Sequence, residues 1–130
     1  VGIFGMVNTF HEKVYKERGV KFYGEFYSDL EYDETGYLVI AKGRNKYYPT
    51  DRAVERCLRA MNENKVETVQ GNDVVVGCET ICVHSDTPNA VEILKALREK
   101  ISSDKKIPQK TSNGNHTKMP YIVDKKWKKF

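Results

Sequence analysis

Two polar side chains follow an apolar stretch at the point where a buried strand should end. Residues 80–83 are mostly apolar or β-branched, which predicts a buried strand, and His84 and Asp86 come directly after them. Side chains two residues apart on an extended chain share a face, so we expect the imidazole and the carboxylate to lie together. Such a pair can act as a general base, a metal ligand or a phosphate contact.

A purely structural interpretation of the same pair stands beside the functional one. Asp86 would help to cap the following helix, and His84 would hydrogen-bond a neighbouring strand. Thr87 is a good N-cap and Pro88 suits the first helical position, which predicts a helix over residues 89–101. The carboxyl ends of strands are where α/β folds bind ligands, so the two interpretations carry similar weight.

A second polar group follows an earlier strand. Residues 20–27 carry large side chains at alternating positions, the pattern of a strand with one buried face, and Glu25, Asp29 and Tyr32 lie near its carboxyl end. These side chains could serve a site or simply line a solvated loop. Asp29 with Asp33 suggests a hard-cation site, but no EF-hand-like spacing follows, and no metal ligands are assigned. Neither a GxGxxG nor a Walker-type phosphate loop occurs.

The remaining patterns set the elements that position these groups. They predict a helix over residues 9–18, a turn at 33–36 with a short extended piece after it, a loop over 42–48, and a hairpin within 66–76. A longer helix begins at Thr50, as N-cap, and runs to about Asn64. The expected core-facing stripes of the two long helices are Val54, Cys57, Leu58 and Met61, then Ala90, Leu94, Leu97 and Ile101. This order predicts part of an α/β layered or barrel fold.

Composition predicts one soluble domain. The 130 residues are 39% hydrophobic and 31% charged, a balance that argues against a membrane protein or a wholly disordered one. No apolar run approaches the roughly 20 residues of a membrane span, and no signal-peptide pattern occurs. Three cysteines without a CxxC pair indicate free thiols in a reducing compartment, hence a cytoplasmic location. Because the chain begins at Val1 as though within a core, we expect a fragment.

The positive charge is concentrated in one segment. Residues 104–130 hold eight lysines and two aspartates, a net charge of +6, so the other 14 basic and 16 acidic residues leave −2 on residues 1–103. The sequence therefore predicts a folded domain over 1–103 and a basic, disordered tail over 104–130, within which 119–123 could dock as an extended arm. A solubilising role is favoured over contact with nucleic acid or an acidic membrane.

Three segments resemble one known family in sequence and order. Residues 25–32, Glu-Phe-Tyr-Ser-Asp-Leu-Glu-Tyr, are similar to its E-x-F-A-D-R-x-Y segment, and residues 36–39 to its G-x-L-V. Residues 80–90, Thr-Ile-Cys-Val-His-Ser-Asp-Thr-Pro-Asn-Ala, are similar to T-I-C-V-H-G-D-T-P-x-A, the most specific of the three. The chain thus resembles the carboxyl-terminal half of the LamB/YcsF family of lactam-utilisation proteins.

The resemblance implies a fold and an activity. The fold would be part of a distorted (β/α) barrel related to the glycoside hydrolase and polysaccharide deacetylase barrels. The activity would be ATP-dependent opening of the lactam 5-oxo-L-proline to L-glutamate, carried out with partner subunits B and C of a 5-oxoprolinase. By matching positions, His84 and Asp86 would be acid/base or phosphate-orienting groups. Asp29 would contact or orient the substrate, and Glu25 and Tyr32 would line the pocket.

Departures from the family pattern keep two alternatives open. Leu30 replaces an arginine, Ala41 stands where a second is expected, and Ser85 replaces a glycine, although Lys42 or Arg44 could substitute for the second arginine. The family's amino-terminal segments, which would supply most of the pocket, are not in this sequence. One alternative is a catalytically dead remnant that acts as a binding or structural module. The other is a metal-dependent hydrolase like the deacetylases.

Overall fold

The structure is a mixed α/β arrangement built around a parallel sheet. The computed structural model describes residues 1–40 and 46–103, and the backbone of 121–122. In chain order the elements are β1 (Gly2–Gly5), α1 (Phe10–Glu17), β2 (Lys21–Tyr27), β3 (Glu31–Tyr32), β4 (Leu38–Val39), α2 (Thr50–Glu63), β5 (Lys65–Glu67), β6 (Asp73–Val75), β7 (Thr80–Cys82), α3 (Ala90–Ser103) and β8 (Tyr121–Ile122).

The main sheet has the strand order β1-β2-β7-β8, and each neighbouring pair is parallel. In the central pair Phe26 lies opposite Ile81, and Tyr27 lies opposite Cys82. Parallel neighbours require crossover connections, and α1 provides the crossover between β1 and β2. The α/β class is therefore confirmed, whereas closure of the sheet into a barrel stays a prediction. The sequence pattern does not predict strand β1, because its four residues include two glycines.

One face of the sheet packs against the helices. Phe22 stacks on Tyr15 of α1 with the ring centroids 6.4 Å apart, and the Arg56 guanidinium of α2 lies 5.6 Å from the centre of the Phe26 ring. Because side chains alternate along a strand, Tyr23, Glu25 and Tyr27 of β2 lie on the opposite face. The polar side chains of β2 thus lie on the face opposite these helix contacts.

The core forms between β2, β7 and the two long helices. Phe26 and Ile81 are at most 1% exposed, and they belong to a buried apolar cluster with Ala53, Cys57, Ala60, Ile93 and Leu97. Burial of these side chains is the main favourable contribution to folding, at roughly 1.5–3 kcal/mol for each large one. The three cysteines form no disulfide, as predicted.

Both long helices begin differently from the prediction. Thr50, the predicted N-cap of α2, is its first helical residue, and Pro49 precedes it without a side-chain cap. The Thr50 hydroxyl instead donates to Glu92 at 2.6 Å. Thr87 and Pro88 are predicted to open α3, which begins only at Ala90. The Thr87 hydroxyl donates to Asp29, and Thr87 itself lies on the turn before the helix.

The buried face of α2 is turned from the predicted one. Its buried residues are Ala53, Arg56, Cys57 and Ala60, whereas Val54, Leu58 and Met61 are only partly buried. The small side chains of Ala53 and Ala60 allow α2 to approach the sheet closely. The Arg56 guanidinium on the same face is hydrogen-bonded to the main chain after β2. In α3, Ile93 is buried together with Leu97, while the predicted Leu94 is partly exposed.

Two small antiparallel ribbons lie between β2 and β7. Strands β5 and β6 pair around residues 68–72, which confirms the predicted hairpin. Strands β3 and β4 pair around the predicted turn at 33–36, which Asp33 closes by accepting hydrogen bonds from Thr35 and Tyr37. Of the predicted loop over 42–48, residues 42–45 lie outside the described residues.

Part of the predicted tail belongs to the sheet. Residues 121–122 form β8, which pairs in parallel with β7, so the expectation of disorder from residue 104 does not hold for these two. The extended arm predicted at 119–123 coincides with this strand. The other residues of the tail lie outside the described ones. None of the helices in the described part of the chain is long and apolar enough to cross a membrane.

Two glycines allow the main chain before β7 to approach β2 closely. A Cβ atom added to Gly77 would lie 3.0 Å from the Cα of Gly24 and would collide with Val7 Cγ1. A Cβ on Gly24 would lie 2.8 Å from the same Val7 atom and 3.0 Å from the Cα of Gly77. The contact is between backbones, so a side-chain rotation cannot relieve it.

Replacement of Gly77 tests this close approach. We expect Gly77→Ala to lower the free energy of unfolding, measured by urea titration, by about 1–3 kcal/mol through overpacking. Adding Val7→Ala should recover only part of the loss, because the contact with Gly24 remains. Gly5→Ala is the control, since its added Cβ would meet only the Phe22 ring at 3.1 Å. A change below about 0.5 kcal/mol for Gly77→Ala would contradict the packing described.

Candidate active site

The candidate site lies where β2 and β7 end side by side. Because the two strands are parallel neighbours, their carboxyl ends meet at one edge of the sheet. Just beyond β2, the Ser28 N–H and the Ser28 hydroxyl both donate to the Cys82 carbonyl, at 3.0 and 2.8 Å. These two hydrogen bonds to β7 bring Asp29, the next residue, against the segment that follows β7.

Asp29 binds that segment through three donors. Its Oδ2 accepts the His84 N–H at 3.0 Å and the Thr87 hydroxyl, and its Oδ1 lies 2.7 Å from Nδ1 of the His84 ring. The Asp29 side chain is completely buried, while that of His84 is 22% exposed. The carboxylate therefore lies beneath the imidazole, which reaches the surface.

These contacts fix the ionisation of Asp29 and the tautomer of His84. Burial alone would raise the pKa of Asp29, but the hydrogen bonds from the His84 ring, the Thr87 hydroxyl and the His84 N–H together hold it below its ordinary value. An ionised carboxylate can only accept, so Nδ1 of His84 carries the proton. In the neutral ring, Nε2 then holds the lone pair that can take up a proton.

The expected pairing of His84 with Asp86 is wrong in its geometry. Strand β7 ends at Cys82 and the chain turns at residues 85–86, so the alternation of an extended chain no longer applies there. Asp86 is exposed on that turn. The carboxylate that pairs with His84 is instead Asp29, 55 positions away in sequence.

Tyr27 connects the His84 pair to a second polar group. Its ring stacks on the His84 imidazole with the centroids 5.9 Å apart, and its side chain hydrogen-bonds Glu25 on the same sheet face. Burial, together with the neighbouring Glu25 carboxylate, raises the pKa of Tyr27, so the phenol stays protonated at neutral pH. It therefore keeps the proton that it donates to Glu25.

Glu25 and Tyr32 lie together at a cavity of about 200 Å³. Residues 6–9, 35–37 and 74–77 supply its other walls. Tyr32 is only 2% exposed, its ring stacks on Phe26 at 5.5 Å, and its hydroxyl accepts the N–H of Tyr27 at 3.0 Å. Burial raises the pKa of Tyr32. Asp29 and His84 do not line this cavity, so the five predicted site residues fall into three groups: the Asp29–His84 pair, the cavity residues Glu25 and Tyr32, and the exposed Asp86.

The described residues do not by themselves fit the cofactors that the sequence raises. Among residues 1–40 and 46–103, no three or more His, Cys, Asp or Glu side chains are grouped so that they could hold a metal ion. Nor do these residues fit a nucleoside triphosphate, because the site presents carboxylates, while Arg52 and Arg56 are bound to Glu31 and main-chain oxygens. Lys42 and Arg44, the candidate replacements for a missing family arginine, lie outside the described residues.

Three residues of the site are not singled out by the sequence patterns used above. Tyr27 could have been found, because Glu25, Tyr27 and Asp29 follow one another at the two-residue period of a strand. Thr87 is assigned by its pattern to the helix instead. Arg56 has no recognisable signal, since a charged residue within an amphipathic helix normally faces solvent.

The ionised state of Asp29 predicts a pH-dependent stability. Its folded-state pKa lies below the unfolded value of about 3.9, so its stabilisation is complete above that pH and is lost as pH falls through the folded pKa. Asp29→Asn should therefore lower the free energy of unfolding by about 1.5–3 kcal/mol at pH 7, with the difference narrowing below about pH 4. Urea titrations across pH 3–7 measure both effects.

Asp86→Asn is the matched control for this prediction, because Asp86 has the same side chain in an exposed position. It should change the free energy of unfolding by less than about 0.5 kcal/mol at every pH. Equal losses for the two variants, or a pH-independent loss for Asp29→Asn, would contradict the arrangement described.

Known proteins are similar to this chain in sequence. The model of the LamB/YcsF family matches residues 1–115. A 5-oxoprolinase A subunit of Pseudomonas putida is 36% identical over 91 residues, which are 70% of this chain and 36% of that protein. The lactam utilization protein lamB of Emericella nidulans is 35% identical over 104 residues, covering 76% and 40% of the two chains.

A solved structure agrees with the sequence matches. The lactam utilization protein from Thermus thermophilus superposes with a TM-score of 0.68 at 27% identity, over 78% of this chain and 40% of that one. The chain thus spans about two fifths of the length of the relatives it matches. On these matches and on the shared fold, the chain belongs to the LamB/YcsF family.

Proposed function

We propose that this chain forms part of a site that hydrolyses a small lactam, in the manner of a 5-oxoprolinase, opening 5-oxo-L-proline to L-glutamate. The observation that carries the proposal is the buried Asp29 carboxylate held 2.7 Å from Nδ1 of His84. This arrangement orients an imidazole and stabilises its protonated form, which is what proton transfer during amide hydrolysis needs. The names of the relatives, a 5-oxoprolinase A subunit and a lactam utilization protein, support the same class of reaction.

The chemistry follows from the orientation of the ring. Nε2 of His84 takes a proton from water as the water oxygen bonds to the lactam carbonyl carbon, and Asp29 stabilises the resulting imidazolium. The carbon–nitrogen bond then breaks, and the proton passes from Nε2 to the departing nitrogen, which becomes the amine of the product. An unstrained amide is a poor electrophile, which is why the family resemblance implies ATP. No step through ATP is assigned to the described residues, because they do not fit it.

The cavity beside the Asp29–His84 pair is small, which supports a small substrate. A volume of about 200 Å³ lies below the usual range of roughly 300–1,000 Å³ for ligand pockets. Glu25 supplies a hydrogen-bond acceptor for a cyclic amide at this cavity, and Tyr27, which hydrogen-bonds Glu25 and stacks on His84, connects it to the His84 pair. Tyr32 is almost fully buried, so it shapes the wall of the cavity and does not present its side chain to solvent. In this proposal the other determinants come from partner subunits B and C and from segments that correspond to the rest of the family domain.

Glutamate release from 5-oxoproline and ATP in the presence of subunits B and C is the test. The chain is assayed as it stands and also in place of the matched segment of the Pseudomonas putida relative. His84→Gln and Asp29→Asn should lower kcat by about 10²–10⁴-fold, the usual contribution of a general acid or base. Glu99→Gln, an exposed carboxylate of α3, is the control and should leave kcat unchanged.

Asp86→Asn separates two roles in the same assay. A loss of kcat as large as that of Asp29→Asn would assign Asp86 a share in proton transfer, whereas an unchanged kcat would assign proton transfer to the Asp29–His84 pair. Absence of turnover in both formats, with the Pseudomonas putida protein active alongside, would contradict the proposal.

A second candidate is a binding or structural module without turnover. It is favoured by Leu30, which stands where the family has an arginine, so one guanidinium that could hold a carboxylate or phosphate is missing. Isothermal titration calorimetry distinguishes the two candidates. A cooperatively folded chain that binds neither 5-oxoproline nor ATP supports the module, and binding of 5-oxoproline that Asp29→Asn weakens supports the enzyme.

A further inference from the structure

We propose that Arg56 is a positioning residue for this site, whose guanidinium holds the main chain on both sides of Asp29 and so aims the carboxylate at His84. The inference rests on the proposed function only for the catalytic meaning of that pair. The positioning role itself follows from the contacts that Arg56 makes.

The hydrogen bonds of Arg56 bracket Asp29 in the sequence. Nη1 donates to the Ser28 carbonyl at 3.1 Å, and Nη2 donates to the Leu30 carbonyl at 2.7 Å. These are the carbonyls of the two residues flanking Asp29. Two donors in one rigid plane fix the orientation of the segment between them, which the single ammonium of a lysine cannot reproduce.

The surroundings of Arg56 make this orientation specific. Its side chain is only 7% exposed, and the guanidinium lies 5.6, 5.8 and 5.6 Å from the ring centres of Phe26, Tyr32 and Tyr48. The charge is compensated by Glu31 Oε2 at 3.9 Å and by a hydrogen bond of 2.6 Å to the Tyr48 hydroxyl. Burial of a cation among three rings is costly without such partners, so the group has little freedom to move.

The same network reaches the other side of the His84 pair. Asn89 accepts the N–H of Tyr48 at 3.1 Å and donates to the Tyr48 carbonyl at 2.8 Å. Asn89 lies two residues after Thr87, which itself donates to Asp29. Arg56 therefore joins the segment that carries Asp29 to the segment that carries its donors, through Tyr48 and α2.

A merely structural Arg56 would fill the core without affecting the site. Such a role predicts that substitutions lower stability and leave the Asp29–His84 hydrogen bonds as they are. A positioning role predicts that the same substitutions disturb those bonds in a protein that is still folded. The two are separated by measurements made at Asp29 and His84.

Carbon-13 NMR titration of the Asp29 carboxyl, with hydrogen exchange at the His84 amide, makes this measurement on the chain. In Arg56→Met and Arg56→Lys we expect the pKa of Asp29 to rise toward its ordinary value of about 3.9, because its donors are misaligned. The His84 amide should exchange at least about tenfold faster, as its hydrogen bond weakens. Arg56→Lys keeps the charge, so an equal effect in both variants assigns the result to geometry.

Arg59→Met is the matched control. Arg59 lies on the same helix and forms ion pairs with Glu63 and Asp73 at the surface, so its loss should leave both readings unchanged. Tyr48→Phe retains Arg56 but removes one of its partners, and an intermediate effect is expected. Together with Arg56→Lys it carries the test if Arg56→Met does not fold.

Unchanged Asp29 titration and His84 exchange in the folded Arg56 variants would overturn the proposal. An effect confined to Arg56→Met would also overturn it, because the lost charge alone would then be the cause. Neither reading depends on turnover. Arg56 can therefore be a positioning residue even if the chain does not hydrolyse a lactam. Equally, the chain can be an active hydrolase even if Arg56 does not position Asp29.

Discussion

The acceptance of three hydrogen bonds by one buried carboxylate is the interaction on which the rest of this site depends. Asp29 receives the His84 N–H, the His84 ring and the Thr87 hydroxyl, all from the segment after β7, while it belongs to the segment after β2. A buried charge is tolerated only with such partners. The bond geometry therefore determines the position of the imidazole, the delayed start of α3 and the course of the chain between them.

A second buried charge supports the first from the helical layer. Arg56 lies on the face of α2 that should be apolar, and it compensates its burial with two main-chain carbonyls, a tyrosine hydroxyl, a distant carboxylate and three aromatic faces. The small side chains of Ala53 and Ala60 on the same face leave room for it. Arg56 thus connects the packing of α2 with the candidate site, although the hydrophobic pattern of the helix predicts an apolar residue on this face.

Sequence patterns predict an element well where neighbouring residues determine its structure. They predict poorly where the structure depends on a residue far away in the sequence. The strand over 80–83, the two long helices and the hairpin around residues 68–72 follow from periodicity and turn chemistry. The partner of His84 does not, because it lies 55 positions away and depends on the parallel pairing of β2 with β7. Thr87 and Arg56 escape prediction for the same reason, since each satisfies a group on another element rather than its own helix. The family resemblance predicts that Asp29 and His84 belong to one site, but it does not predict the hydrogen bonds between them.

Membership of the LamB/YcsF family and the Asp29–His84 pair lead to one account: an imidazole held by a buried carboxylate at the carboxyl edge of a parallel sheet. Nitrogen-15 NMR of the His84 ring, at a pH where the ring is neutral, tests this most directly. The account predicts a proton on Nδ1 and none on Nε2, with the Nδ1 proton lost to rapid exchange or shifted to Nε2 in Asp29→Asn. A neutral ring protonated at Nε2 in the unaltered chain, or a tautomer that Asp29→Asn leaves unchanged, would contradict it.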